Sequence, residues 1–451
     1  MCNAVQKKEQ FEDNIGYSSM LGVVANKYFD NPYRAFNSNS DLNGDPYFIG
    51  YYLLGMHMLG LVRWIIETCR ENDYKKILFM ARDGWLPMLA YKCFKEKYSL
   101  PEYEYLYVSR KAVLPGMIAG ETDLFDLPVE FRNHSPRTLL ELLEFCSREM
   151  GEKQVSRILK NYRISEKQKF QTQEDYHQFI QVFIKEFFSE TKLKRSQALA
   201  AEYYSTVTED SVSYDSGYSG RIQNAVSRLC GHPADVMFVH NDLENSFRMK
   251  RKGNFKIHSY YDYVPQVSGL LREHMLSETG GGCIGFEKAE HGVVPVIESV
   301  QRTYADVFVI EQLHKGAIDF IEDYLNEFEG FEQYIEIRNT DASAPFEAYL
   351  KRAKDVDRWL FKGAYFEDSV YGGNSAIDVY EFLKGQDLLN VQSNVEMKSG
   401  ECQWEAGNTY DVLYSILNTK SKFVRAILLL LIDKNIFKKK LKKNVQKLLK
   451  H

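Results

Sequence analysis

The stretch Ser211–Arg221, SVSYDSGYSGR, runs on into Ile222–Leu229, IQNAVSRL, and its reading decides the fold. Val212 and Tyr214 alternate with small polar residues, the pattern of a strand, and the run ends at Asp215. Asp215-Ser216-Gly217-Tyr218-Ser219-Gly220-Arg221 then crowds glycine and serine into a tight turn ahead of a helical segment. Strand, glycine turn and helix in that order leave free backbone N–H groups at a helix N-terminus, where an anion such as phosphate is favoured. The hydroxyls of Ser216 and Ser219 and the guanidinium of Arg221 add donors at the same place. An ordinary βα connection would carry the same turn, so the choice between the two falls to the rest of the chain.

At 451 residues the chain has material for two or three domains and a large buried core. Aromatic residues reach 14%, which fits an aromatic core more simply than a ring-binding cleft. A net charge of −5 argues against a nucleic-acid partner. The seven cysteines (Cys2, Cys69, Cys93, Cys146, Cys230, Cys283 and Cys402) are scattered, with no CxxC and no zinc-like spacing, as expected in a reducing cytoplasm. The polar start MCNAVQKKEQFEDN is no signal peptide, and no apolar run is expected to reach the roughly 20 residues that span a bilayer. A cytoplasmic protein is expected.

Residues 1–116 are expected to hold N-terminal helices and the first βαβ unit. Tyr47–Arg70 reads as one long buried helix, in which His57 is a core histidine. Ile77–Met80 is a short apolar run, as in a strand buried on both faces of a parallel sheet. It turns through Ala81-Arg82-Asp83-Gly84 into a helix from Trp85, and Tyr103–Val108 follows as a second strand ending in Ser109-Arg110. Ligands of such a unit bind beyond the strand C-termini, where Arg82-Asp83-Gly84, Ser109-Arg110 and the Asp215–Arg221 turn all fall. Residues 117–205 read as an inserted helical lobe, and 206–299 as the second part of the α/β core, with strands at Asp235–His240 and Lys256–Tyr263. A helical C-terminal lobe is expected over 300–420. The segment 421–451, rich in lysine after an apolar run, has the pattern of an amphipathic helix on an anionic membrane surface.

Several chemistries fail on spacing. Gly217-Tyr218-Ser219-Gly220-Arg221 misses a G-x-S-x-G nucleophile elbow because Arg221 replaces the last glycine, and His240, His258 and His274 stand in no recognisable base context. No G-x-x-x-x-G-K-[ST] loop is present, and the turn after the first strand, ARDGWLP, is no G-x-G-x-x-G. An aspartyl-phosphate mechanism needs a second acid two residues after the first, which Asp83 lacks; Asp41 and Asp45 have no strand before them. No metal-ligand set is legible. The three strand-end turns together suit a sugar bearing phosphate at both ends, since arginine forks match phosphate oxygens.

ILFMARDGWLP, YLYVSRKAVLP and SVSYDSGYSGRIQ resemble the strand-ARDG, strand-SR and strand-DxGxxGxxQ motifs of bacterial polysaccharide-biosynthesis proteins, often labelled haloacid-dehalogenase-like. Over roughly residues 45–290 the chain is similar to the glycan phosphoribosyltransferases. That resemblance implies a parallel-sheet phosphoribosyltransferase-like α/β core. It implies transfer of 5-phosphoribose from phosphoribosyl pyrophosphate (PRPP) to a lipid-linked or polymeric glycan, Mg²⁺ use, and a separate phosphatase acting afterwards. Arg82-Asp83-Gly84 would form the pyrophosphate loop, with Asp83 as general base and Arg82 facing the leaving group. Ser109 and Arg110 would clamp pyrophosphate, and Asp215, Ser216, Gly217, Tyr218, Ser219, Gly220 and Arg221 would hold ribose and its 5-phosphate. Nucleotide-type relatives place two adjacent acids before this turn, whereas here Tyr214 precedes a lone Asp215. A sugar phosphatase and a non-catalytic glycan- or sugar-phosphate-binding subunit are the competing expectations.

Overall fold

A computed structural model of the chain describes residues 14–28, 39–217, 220–240, 256–261, 269–299, 302–367 and 376–383. Tyr218 and Ser219 lie outside the described residues, as do the basic segment 421–451 and 384–420 before it.

The chain opens with α1 (Ile15–Tyr28) and α2 (Pro46–Asn72), the second a continuous helix with a π-turn at Gly50–Leu54. Contrary to the expectation from sequence, α2 is long and apolar enough to cross a membrane. Its apolar window is 83% buried inside the protein, the environment of a core helix. β1 (Lys76–Met80), α3 (Trp85–Lys95) and β2 (Glu102–Leu106) make the first βαβ unit. The second strand stops at Leu106 rather than Val108, because the Tyr107 N–H donates to the Tyr203 hydroxyl at 3.0 Å. A helical stretch follows with α4 (Leu114–Met117), α5 (Pro136–Leu142), α6 (Glu152–Asn161), α7 (Gln173–Val182) and α8 (Glu190–Tyr203). β3 (Ser211–Asp215), α9 (Arg221–Cys230), β4 (Asp235–Phe238) and β5 (Ile257–Ser259) complete the sheet. Beyond it lie α10 (Gly269–Leu276), the antiparallel hairpin β6 (Cys283–Ala289) and β7 (Gly292–Ile297), α11 (Tyr304–Glu327) and α12 (Asn339–Arg352), then the small pair β8 (Tyr365–Glu367) and β9 (Ala376–Asp378).

All five strands of the main sheet are parallel, in the order β2-β1-β3-β4-β5. Side chains alternate between its two faces. Ile77, Phe79, Val212, Tyr214 and Met237 enter the large core shared with α1, α2, α3, α11 and α12. Leu78, Met80 and Leu106 enter a second core with Ala200 of α8 and Ala225 and Val226 of α9. The result is a three-layer α/β/α arrangement, whose strands read as apolar because both faces are covered. Residues from Leu114 to Leu193 form a satellite core of their own, centred on Phe179, Phe183 and Leu139. Within the stretch 300–420, expected as a helical C-terminal lobe, α11 and α12 pack on α2 in the main core.

Candidate active site

The strand order runs outward in both directions from the β1/β3 pair. Right-handed crossovers then send α3 and α9 to opposite faces, and a crevice opens at the C-terminal ends of β1 and β3. Phe79 pairs with Tyr214 across these strands, so Asp83, just past β1, and Asp215, at the end of β3, come to the same edge. The two turns singled out in the sequence meet at the place where a doubly wound sheet binds its ligand.

The β1 turn is tight. The Gly84 N–H donates to Met80 O at 2.9 Å and the Trp85 N–H to Arg82 O at 3.2 Å. A Cβ on Gly84 would lie 2.4 Å from Met80 O, so the turn admits only glycine. Arg82 O also accepts from the Tyr105 hydroxyl at 3.3 Å and from the Glu278 N–H at 3.0 Å, which fixes the loop from the β2 side and from the segment after α10.

The β3 turn is held by its own aspartate. Asp215 Oδ1 accepts from the Gly217 N–H at 2.7 Å, and Oδ2 from Gln223 Nε2 at 2.6 Å. Gln223, fully buried in the first turn of α9, also reaches Met80 Sδ at 3.2 Å and so ties the β1 and β3 ends together. Its Oε1 and the buried Ser216 Oγ have no hydrogen-bond partner among the described residues. Such orphaned oxygens mark a place where a ligand group or ordered solvent is expected. Gly220, at φ +68°, caps α9, and Arg221 is its first residue, half-buried.

Burial pushes the Asp83 carboxyl well above the ordinary carboxylate range, and the charges of Asp215 and Glu273 push it further, against Arg82. Burial raises Asp215 as well, while Gln223, the Gly217 N–H and the Arg110 charge pull it back. Each aspartate therefore has one arginine for company: Arg82 beside Asp83, Arg110 beside Asp215. The second acid that the sequence lacks next to Asp215 stands across the crevice on the β1 turn. Ser109 is differently employed, since its hydroxyl donates to Cys283 O and accepts from the Ala112 N–H, pinning the β6 strand and the following turn.

Sequence reasoning did not single out Gln223 or Glu278 as site residues, and it named Glu273 only by position, in the Arg272-Glu273-His274 segment expected to shape an acceptor site. Gln223 had a signal, being the final residue of the DxGxxGxxQ motif. Glu273 had none beyond position. Its charge acts on Asp83 from α10, which is anchored by the neighbouring Arg272, 2% exposed and ion-paired with Glu347 of α12 at 2.6 Å. The histidines weighed as bases are engaged elsewhere: His274 with Asp306 at 2.8 Å, and His258 with the Tyr74 hydroxyl at 3.0 Å, while burial lowers His240 to about 4.

Among the described residues no three His, Cys, Asp or Glu converge as a metal cage. Mg²⁺ is commonly held by one or two carboxylates with substrate phosphates completing the shell. Asp215, with the orphaned Ser216 Oγ and Gln223 Oε1 near it, supplies hard oxygen donors of that kind.

No family model matches the chain, and no curated protein matches it.

Proposed function

We propose that this chain is a PRPP-dependent phosphoribosyltransferase that moves 5-phosphoribose to a hydroxyl of a bacterial glycan on a phosphoribosyltransferase-like core. One observation carries the reading: two aspartate-bearing glycine turns, each opening a helix and each accompanied by an arginine, face one another at the switch point of a parallel sheet. Phosphates favour helix N-termini and guanidinium groups, and ribose hydroxyls favour a carboxylate acceptor.

The glycine turn after Asp215 and the Arg221 side chain would receive the 5-phosphate, and Asp215 would accept from the ribose hydroxyls. Arg82 and Arg110 would lie along the pyrophosphate. Mg²⁺, when bound beside Asp215, would offset the charge of the leaving group. The C1–O bond to pyrophosphate breaks, the acceptor oxygen bonds to C1, and the acceptor's proton passes to a base. Asp83 is suited to that role because its raised pKa brings its basicity closer to neutral pH. The oxocarbenium-like transition state asks mainly for positioning and charge stabilisation, which a crevice of fixed dipoles provides. A lipid-linked acceptor would fit a chain working at the inner face of a membrane, with a phosphatase following it.

The test is incubation with PRPP, Mg²⁺ and a synthetic or lipid-linked glycan, read by mass spectrometry. The expected product is heavier by one phosphoribosyl unit and disappears with Asp83→Asn. Release of phosphate from sugar phosphates, with the glycan unchanged, would overturn the proposal in favour of a phosphatase.

A further inference from the structure

Three aromatic rings line the β2 side of the crevice, outside the turns assigned to the donor. Trp85 and Tyr105 meet edge to face at 5.1 Å between centroids, and Tyr105 and Tyr107 do the same at 5.1 Å. Tyr105 and Tyr107 are two residues apart and so project on one side of the chain. Trp85 directly follows the Asp83-Gly84 turn, which sets the first ring beside the candidate base. Glu278 is placed among them: its carboxylate accepts from the Tyr105 hydroxyl at 3.0 Å, and its charge also acts on Tyr107.

Phe79, Tyr91, Tyr204 and Tyr214 are fully buried, whereas Trp85 at the start of α3, Tyr105 on the edge strand and Tyr107 just past it stay half-buried, Tyr105 with part of its ring against the main core. A rim of rings with a carboxylate between them matches a sugar ring, whose C–H face stacks on an aromatic surface while its hydroxyls need acceptors. The Glu278 carboxylate among the rings disfavours an anionic group on them and favours a neutral polyhydroxylated ligand.

We propose that Trp85, Tyr105 and Tyr107 form a saccharide platform, with Glu278 accepting hydrogen bonds from the hydroxyls of the ring that lies on it. Only its role as the acceptor site rests on the transferase reading; saccharide binding does not.

Two measurements separate the ideas. The first is tryptophan fluorescence of the full chain titrated with methyl β-glycosides of glucose, galactose, N-acetylglucosamine and N-acetylgalactosamine and their β-linked disaccharides, without PRPP. A saturable change with at least one of them is expected, lost in Trp85→Phe and weakened about tenfold in Tyr107→Ala. No response across the set, or an unchanged response in Trp85→Phe, overturns the platform. The second is steady-state transfer, where Tyr107→Ala should raise the acceptor KM about tenfold and leave the PRPP KM within twofold. An unchanged acceptor KM overturns the acceptor role, whereas absence of PRPP turnover in the wild type with an intact fluorescence response removes the transferase reading and leaves the platform standing.

Discussion

The helix layer and the strand-end crevice of this protein are built on opposite principles. Between α2 and α11 the backbones touch: a Cβ on Gly50 would lie 2.1 Å from Leu313 O, and one on Gly316 2.2 Å from Tyr47 O. Tyr51 and Phe320 fill the adjoining space edge to face at 5.3 Å, both fully buried. There, apolar contact is maximised, and each such buried side chain contributes about 1.5–3 kcal/mol. The crevice, by contrast, keeps two carboxylates at raised pKa, a third whose charge acts on one of them, and two buried oxygens without partners among the described residues. A region selected for stability alone would not retain that charge, so the contrast sets the crevice apart from the scaffold as the candidate site.

The largest effect should come from breaking the close contact. Gly316→Leu forces α11 away from α2 and should cost about 3 kcal/mol, read as a lower urea midpoint with an unchanged slope. A change below about 0.5 kcal/mol would mean that the helix layer is not the tight element described here.

Asp83→Asn should act in opposite senses on the two properties. Transfer should fall by about 10²-fold or more if the residue is the base, while the fold gains about 1 kcal/mol at neutral pH because a desolvated charge facing Asp215 and Glu273 is gone. The pH dependence of the gain follows from the raised pKa. An unfolded aspartate titrates at about 3.9, and the folded Asp83 above it, so between those values the native state binds more protons than the unfolded one. Wild-type stability on this account falls as pH rises through that window. The advantage of Asp83→Asn should therefore be complete above it and vanish below about pH 4, as thermal denaturation at a series of pH values would reveal. A variant less stable than wild type at pH 7 would contradict the electrostatic picture of the crevice.

The smallest effect is expected at Gln223. Gln223→Leu keeps the buried volume but removes the bond that stabilises ionised Asp215. Carbon-13 NMR of the aspartate carboxyls should show Asp215 titrating at higher pH than in the wild type. PRPP affinity should weaken about tenfold, as for loss of a hydrogen bond to a charged group.

Much of this site was legible from the chain. Ile77–Met80 and Ser211–Asp215 announce themselves as buried strands, and the glycines after them mark turns into helices, because backbone geometry and apolar patterning are local properties. Arg82, Asp83, Gly84, Asp215, Ser216 and Gly217 could therefore be named together as strand-end residues. The employment of the Ser109 hydroxyl by Cys283 O, the approach of Glu273 and the role of Gln223 between two strand ends depend on partners distant in sequence. Local pattern carries no record of such pairs.

By itself, then, the sequence determined that the chain makes buried strands ending in glycine turns that open helices, since periodicity, glycine and proline act over a few residues. Only the tertiary structure decided that β3 lies beside β1, on the side away from β2. That choice rests on which apolar faces can be buried together, a property of the assembled layers. It also brings Asp83 and Asp215 face to face, so the acid missing from the neighbourhood of Asp215 in sequence is supplied across the crevice in space.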